Sequence, residues 1–105
     1  MKRMAVVLSG CGFKDGAEIR ESVLTLLALD SLQLSYDLFA PNSDGHHVTN
    51  HLTMKVVENE TRNMLVEAAR IARGNISDLT KLQTANYAAI IFPGGFGGAT
   101  NLCEF

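Results

Sequence analysis

The stretch Met4-Ala5-Val6-Val7-Leu8-Ser9-Gly10-Cys11-Gly12, running on through Phe13-Lys14-Asp15-Gly16-Ala17-Glu18-Ile19-Arg20-Glu21-Ser22, decides the fold. Met4 to Ser9 is a short apolar run closed by a glycine. A strand without polar alternation is one buried on both faces, and such strands belong to parallel sheets. From Ala17 the period changes. Ile19, Val23, Leu26 and Leu27 make a stripe at helical spacing that continues toward Leu32. Asp15, with Glu18 three residues on, fits a capping pair at the start of this helix.

Working outward, Ser35 to Ala40 reads as a second strand, closed by Pro41 and the polar turn Asn42-Ser43-Asp44-Gly45. A histidine-bearing loop runs to Asn59, with room for a short strand near Val56. Thr61 to Arg73 is an amphipathic helix with Met64, Leu65, Ala68, Ile71 and Ala72 on one face, stopped at Gly74. Ser77-Asp78 opens a short helix through Leu82. Ala88 to Phe92 is a third buried strand, stopped by Pro93-Gly94-Gly95, and a further helix begins at Ala99. Strand, helix, strand, helix, strand is the order of an α/β fold with a parallel sheet. Only the beginning of a helix follows the third strand. The reading is therefore the first half of a larger domain, with one face or edge of the sheet open.

The bulk properties remove several function classes. The 105 residues allow one small domain; 47% are apolar and 19% charged, as in ordinary globular chains. A net charge of -2 gives no electrostatic reason to expect nucleic acid or an anionic membrane surface as partner. No apolar run is long enough to span a bilayer, and the start Met1-Lys2-Arg3-Met4 leads directly into a strand. The expected location is cytoplasmic. Cys11 and Cys103 show neither metal-ligand spacing nor disulfide density.

Two glycine turns follow strands. Gly10-Cys11-Gly12 suggests the dinucleotide fingerprint G-x-G-x-x-G, but Asp15 stands where its third glycine belongs. A carboxylate there repels a pyrophosphate, and no acidic ribose partner closes the second strand. Pro93-Gly94-Gly95-Phe96-Gly97-Gly98 suits an oxyanion hole, whose backbone donors meet developing negative charge. It suits equally a tight turn needing positive φ, and spacing does not choose between them. No Gly-Lys-Ser/Thr follows, so it is not a P-loop. Glu18 and Glu21 share one helix face. Glu18 has the cap to explain it. Glu21 has no basic residue three or four positions on, and lies where a strand-to-helix junction faces the ligand crevice of such folds. His46, His47 and His51 sit in a segment without helical period and read as loop residues; no metal or other cofactor is expected.

Taken together, SGCGFKDGAEIRESVLTLLAL, HHVTNHLT, ETRNMLVEAARIARGNISDL and IIFPGGFGGATNL resemble the enhancing-lycopene-biosynthesis family, also called sigma cross-reacting proteins or ElbB-type glyoxalases. That family lies in the PfpI-like superfamily with class I glutamine amidotransferase domains. The resemblance runs from about Met4 to the last residue. It implies a flavodoxin-like parallel sheet with flanking helices, truncated after its third main strand, so that residues 1–105 form the N-terminal half of a domain of this kind. It further implies that Glu21, with Glu18 second, supports a cysteine nucleophile, and that Gly94 and Gly95 form the oxyanion hole. Cys11 and Gly12 then lie on the crevice rim.

The implied chemistry converts small dicarbonyls such as glyoxal or methylglyoxal to hydroxy acids without a cofactor, linked by the family name to isoprenoid biosynthesis. The family's nucleophile elbow has no counterpart in these residues, so the chain alone is expected to be inactive. Cys11, without a nearby base, does not replace the missing thiolate. The alternative is a non-catalytic interaction protein that completes its sheet with a partner chain. An open sheet edge favours a homo-oligomer.

Overall fold

The apolar run after Arg3 forms the central strand of a parallel sheet. In the computed structural model, which describes residues 2–103, this strand is β1 (Arg3–Val7). The chain continues through α1 (Ile19–Ser31), β2 (Tyr36–Ala40), the two-residue strands β3 (Thr49–Asn50) and β4 (Lys55–Val56), and α2 (Met64–Ala72). It ends with β5 (Ser77–Asp78), β6 (Tyr87–Ile91) and the single turn α3 (Gly97–Thr100). The main sheet has the order β5-β2-β1-β6, every pairing parallel. β3 and β4 form a separate antiparallel pair.

β1 is buried on both faces, as its composition requires. Val6 and Leu8 pack with Leu29, Leu38, Ala68 and Ala72 on the side of α1 and α2. Ala5 and Val7 join Phe39 on the other side, with Leu79, Leu82 and Leu102 against them. The starts of three strands are fastened together by charge. Arg3 donates to both oxygens of Asp37 at 2.9 Å, and the Tyr87 hydroxyl donates to Asp37 Oδ2 at 2.9 Å. This leaves the opposite, carboxyl end of the sheet to the glycine turns.

Several elements differ from their sequence reading. Asp15 and Glu18 form no capping pair. Glu18 is itself the N-cap of α1, its carboxylate accepting from Arg20 N–H at 3.0 Å. The loop before it coils back on itself, Gly16 N–H donating to Gly12 O at 2.7 Å, so that Asp15 faces the β3–β4 hairpin and accepts from Thr49 N–H at 2.7 Å. α2 begins at Met64 rather than Thr61, because Asn63 caps it by accepting from Val66 N–H at 2.9 Å. Ser77-Asp78 extends the sheet beside β2 instead of opening a helix, and Asp78 then caps a single 3₁₀ turn, Leu79–Lys81. The last helix starts at Gly97 rather than Ala99; the reading beyond Cys103 lies outside the described residues.

α1 is turned about its axis relative to expectation. Ser22 and Leu29 are its buried residues, with Leu26 packed beside them, while Ile19, Val23 and Leu27 of the expected stripe are exposed. β6 is not the buried strand its composition suggests. Among the described residues it has a neighbour only on the β1 side, and Ala88, Ala89 and Ile90 are exposed.

Candidate functional site

The sheet grows from β1 toward β2 and β5 in one direction and toward β6 in the other. The carboxyl ends of β1 and β6 thus flank a topological switch point, the place where open α/β sheets hold ligands. Two turns meet there and are laced backbone to backbone. Glu18 N–H donates to Gly94 O at 2.7 Å, Phe96 N–H to Phe13 O at 2.8 Å, and Gly97 N–H to Gly16 O at 3.0 Å. Such close lacing admits no side chain at Gly95. Its φ of +121° lies in the region that favours glycine, and an added Cβ would fall within 2.6 Å of Glu18 N.

The structure brings Glu21 and Gly94 together. A Cβ added at Gly94 would strike Oε1 of Glu21, so the carboxylate rests directly on this glycine. Glu21 stands in the first turn of α1, where the helix dipole favours an anion. Its carboxylate takes part in no hydrogen bond or ion pair among the described residues. The Gly94 and Gly95 N–H groups likewise donate to no acceptor among the described residues. Glu18, Glu21, Gly95, Phe13 and Phe96 line a hollow of about 330 Å³, at the small end of ligand-pocket size. The Lys14 ammonium lies 5.1 Å from the Phe96 ring centre and 6.0 Å from that of Phe13.

Glu18 is otherwise engaged. Beyond its capping bond, its carboxylate sits 3.4 Å from the Arg20 guanidinium, and its carbonyl accepts from Ser22 Oγ at 2.7 Å. Of the two acids, Glu21 is the one whose carboxylate has no partner among the described residues.

Cys11 and Gly12 are set apart from this hollow. Cys11 lines a space of about 30 Å³, enough for little more than a water, together with Asp15, His47 and Glu67. It also borders a polar groove toward His51 and Arg62, and neither space shares a residue with the Glu21 hollow. Gly12 faces the same side, where a Cβ would meet Asp15 Oδ1 and the His51 ring. The expected common crevice is therefore divided, because the loop carrying Cys11 folds toward β3–β4. Burial pushes the Cys11 thiol pKa up, and the Glu67 carboxylate adds to the shift; Arg70 opposes it and Asp15 reinforces it. A thiol held protonated is a poor nucleophile. Cys103 is exposed, outside both spaces.

The histidines serve the loops. His51 Nδ1 lies 3.1 Å from Thr49 O, a group that only accepts, so Nδ1 carries the hydrogen. Nε2 then accepts from Lys14 N–H at 3.3 Å. Among the described residues no three His, Cys, Asp or Glu side chains converge as metal ligands.

Sequence reading missed Asn101. Its Nδ2 donates to Ser9 O and Asp15 O, both at 3.0 Å, and its Oδ1 accepts from His46 N–H at 2.7 Å. One amide thus joins the end of β1, the first glycine turn and the histidine loop. Its partners lie far away in sequence, so no local pattern announces it.

Over 103 residues, 98% of the chain, the sequence is 50% identical to human "Glutamine amidotransferase-like class 1 domain-containing protein 3, mitochondrial". The match is to amidotransferase-like proteins. The Rattus norvegicus "ES1 protein homolog, mitochondrial" is 48% identical over 103 residues, and the Danio rerio "ES1 protein, mitochondrial" 39% identical over 106. A solved Ehrlichia chaffeensis structure, described as an isoprenoid biosynthesis protein with an amidotransferase-like domain, superposes with a TM-score of 0.94 at 42% identity over 98% of the chain. The chain therefore has the flavodoxin-type fold of an amidotransferase-like domain. It spans 38–39% of the curated relatives' length and 48% of the solved chain. No family model matches.

Proposed function

We propose that this chain supplies the acid and the backbone amides of a cofactor-independent site acting on small dicarbonyls, of the ElbB glyoxalase type. One observation carries the reading: a carboxylate that, among the described residues, has no partner, Glu21, rests on Gly94 beside two N–H groups that find no acceptor among those residues, at the switch point of the sheet. In this reading a thiolate adds to an aldehyde carbon of glyoxal or methylglyoxal. Gly94 and Gly95 N–H steady the oxyanion, and Glu21 holds and returns the proton. Addition of one water balances the conversion of dicarbonyl to hydroxy acid. The thiolate comes from a segment outside these 105 residues, since Cys11 faces another space with its proton held.

The isoprenoid-biosynthesis description of the Ehrlichia chaffeensis protein supports the link to that metabolism suggested by the family resemblance. Three relatives are named mitochondrial, which favours that compartment over the cytoplasmic one expected from the sequence; cell fractionation decides. No described helix is long and apolar enough to cross a membrane.

The test is turnover of glyoxal and methylglyoxal by the protein isolated from its own cells, against a Glu21→Gln variant. The reading expects measurable hydroxy-acid formation that falls about a hundredfold or more in the variant, the scale of a lost general acid–base group. Absence of turnover, or an unchanged rate in the variant, overturns it.

A second reading, an interaction module that completes its sheet with another chain, is favoured by β6. Its outer edge is unpaired among the described residues, and Ile90 and the following Phe92 are exposed. Stable co-purification of a sheet-pairing partner, with no turnover, would select it.

A further inference from the structure

The segment that carries Gly94 and Gly95 is held to the first glycine turn by backbone bonds and by one side chain. Among the described residues, Asn101 is the residue after β6 whose side chain hydrogen-bonds outside its own turn; the Thr100 hydroxyl reaches back only to Phe96 O. α3, between the glycine turn and Asn101, is a single turn of four residues. So short a helix does not hold its own shape, and its place is set by what its ends are tied to. Asn101 N–H closes that turn by donating to Gly97 O at 2.8 Å.

Both hydrogens of the Asn101 amide are used, one on Ser9 O and one on Asp15 O, each at 3.0 Å. Its Oδ1 accepts from His46 N–H at 2.7 Å. A carbonyl only accepts and an N–H only donates, so turning the amide over would lose all three bonds. The two carbonyls mark the parts that must be aligned. Ser9 follows β1 and is buried, and Asp15 lies just ahead of Glu18, the N-cap of α1. The packing beneath is tight as well: a Cβ added at Gly97 would fall against Gly16 and 2.6 Å from Ser9 Oγ. The first turn of α1, with Glu21, and the turn with Gly94 are thus set against each other by backbone lacing on one side and by Asn101 on the other.

We propose that Asn101 is a positioning residue of the Glu21–Gly94–Gly95 site. Its amide fixes the spacing between the glycine turn and the start of α1, and with it the alignment of the two N–H groups beside the carboxylate. The inference rests on the reading of these three residues as one site, and its test reads the glycine turn directly as well as turnover.

That test uses the full protein from its own cells with Asn101→Asp and, separately, Asn101→Gln. Asp keeps an acceptor for His46 N–H and gives up both donations; Gln keeps both donors on an arm one methylene longer. In Asn101→Asp the Gly94 and Gly95 amide resonances should move while those of Arg3 and Asp37, at the other end of the sheet, stay in place. Glycolate should bind about tenfold more weakly. The turnover number on glyoxal, per folded molecule, should fall about tenfold or more, the scale of a misplaced reacting group. Asn101→Gln should regain the melting temperature but neither the two glycine resonances nor the turnover, whereas a purely structural tie would regain them together. Unmoved Gly94 and Gly95 resonances in folded Asn101→Asp overturn the proposal, as does full recovery in Asn101→Gln. Failure of both variants to fold marks a structural residue and overturns it too. If the wild-type protein turns over no glyoxal, the proposed chemistry fails, and the resonances and glycolate affinity alone decide the role of Asn101.

Discussion

Glu21 and Gly94 depend on each other's shape. Any side chain at position 94 occupies the space of the Glu21 carboxylate, so Gly94→Ala should displace the acid without unfolding the protein. The expected outcome is a loss of turnover comparable to that of Glu21→Gln, with a melting temperature within a few degrees of wild type; steady-state kinetics and calorimetry check both. Asp15 makes the contrasting prediction. Its carboxylate holds the Thr49 N–H from a largely buried position, so Asp15→Ala should cost about 1.5–3 kcal/mol in urea unfolding, the range for a hydrogen bond to a charged group. The two cysteines should separate under alkylation. Cys103 is exposed, whereas burial keeps the Cys11 thiol protonated; iodoacetamide at neutral pH followed by peptide mass mapping should label Cys103 first.

Each element's register with the rest was legible only where its own residues carried the information. Past Arg3, β1 has no polar position, so its double burial could be read directly, and α2 separates its apolar and polar faces cleanly enough to fix which side packs. α1 is apolar nearly all round, and its buried side includes the small polar Ser22, whose hydroxyl donates back to Glu18 O, a preference that periodicity does not express. The β3–β4 pair was visible only as a short strand near Val56, because two-residue polar strands leave no alternation to detect. In the site, Glu21 and the glycine turn could be singled out from spacing and resemblance, while the division of the crevice and the three-way clasp of Asn101 depend on loop paths. The start of α2 offers a test of capping. Asn63→Ala removes the side-chain bond to Val66 N–H, along with the Nδ2 donation to Asn42 Oδ1, and should cost about 1 kcal/mol or more, read as a drop of at least about 4–8 °C in melting temperature.

Across the whole molecule, the two ends of the sheet have different tasks. The amino ends of β1, β2 and β6 are tied by Arg3, Asp37 and Tyr87, and the carboxyl ends carry the glycine turns. The Arg3 guanidinium, with help from the Tyr87 hydroxyl, holds the Asp37 carboxyl below the usual carboxylate range against its partial desolvation. A group whose folded pKa lies below its unfolded one stabilises the fold above the unfolded value and loses that contribution as pH falls through the folded one. Melting temperature should therefore decline as pH drops below about 4, and Asp37→Asn should flatten that decline while lowering stability at neutral pH.

The claim that Glu21, Gly94 and Gly95 form one site is tested most directly by titrating a small hydroxy acid, glycolate, into isotope-labelled native protein and following backbone amide resonances. Saturable shifts of the Gly94 and Gly95 amides are expected, accompanied by Phe13 and Phe96, with Cys11 and His47 unmoved. Shifts centred on Cys11 and His47, or none at the glycine turn, would contradict it.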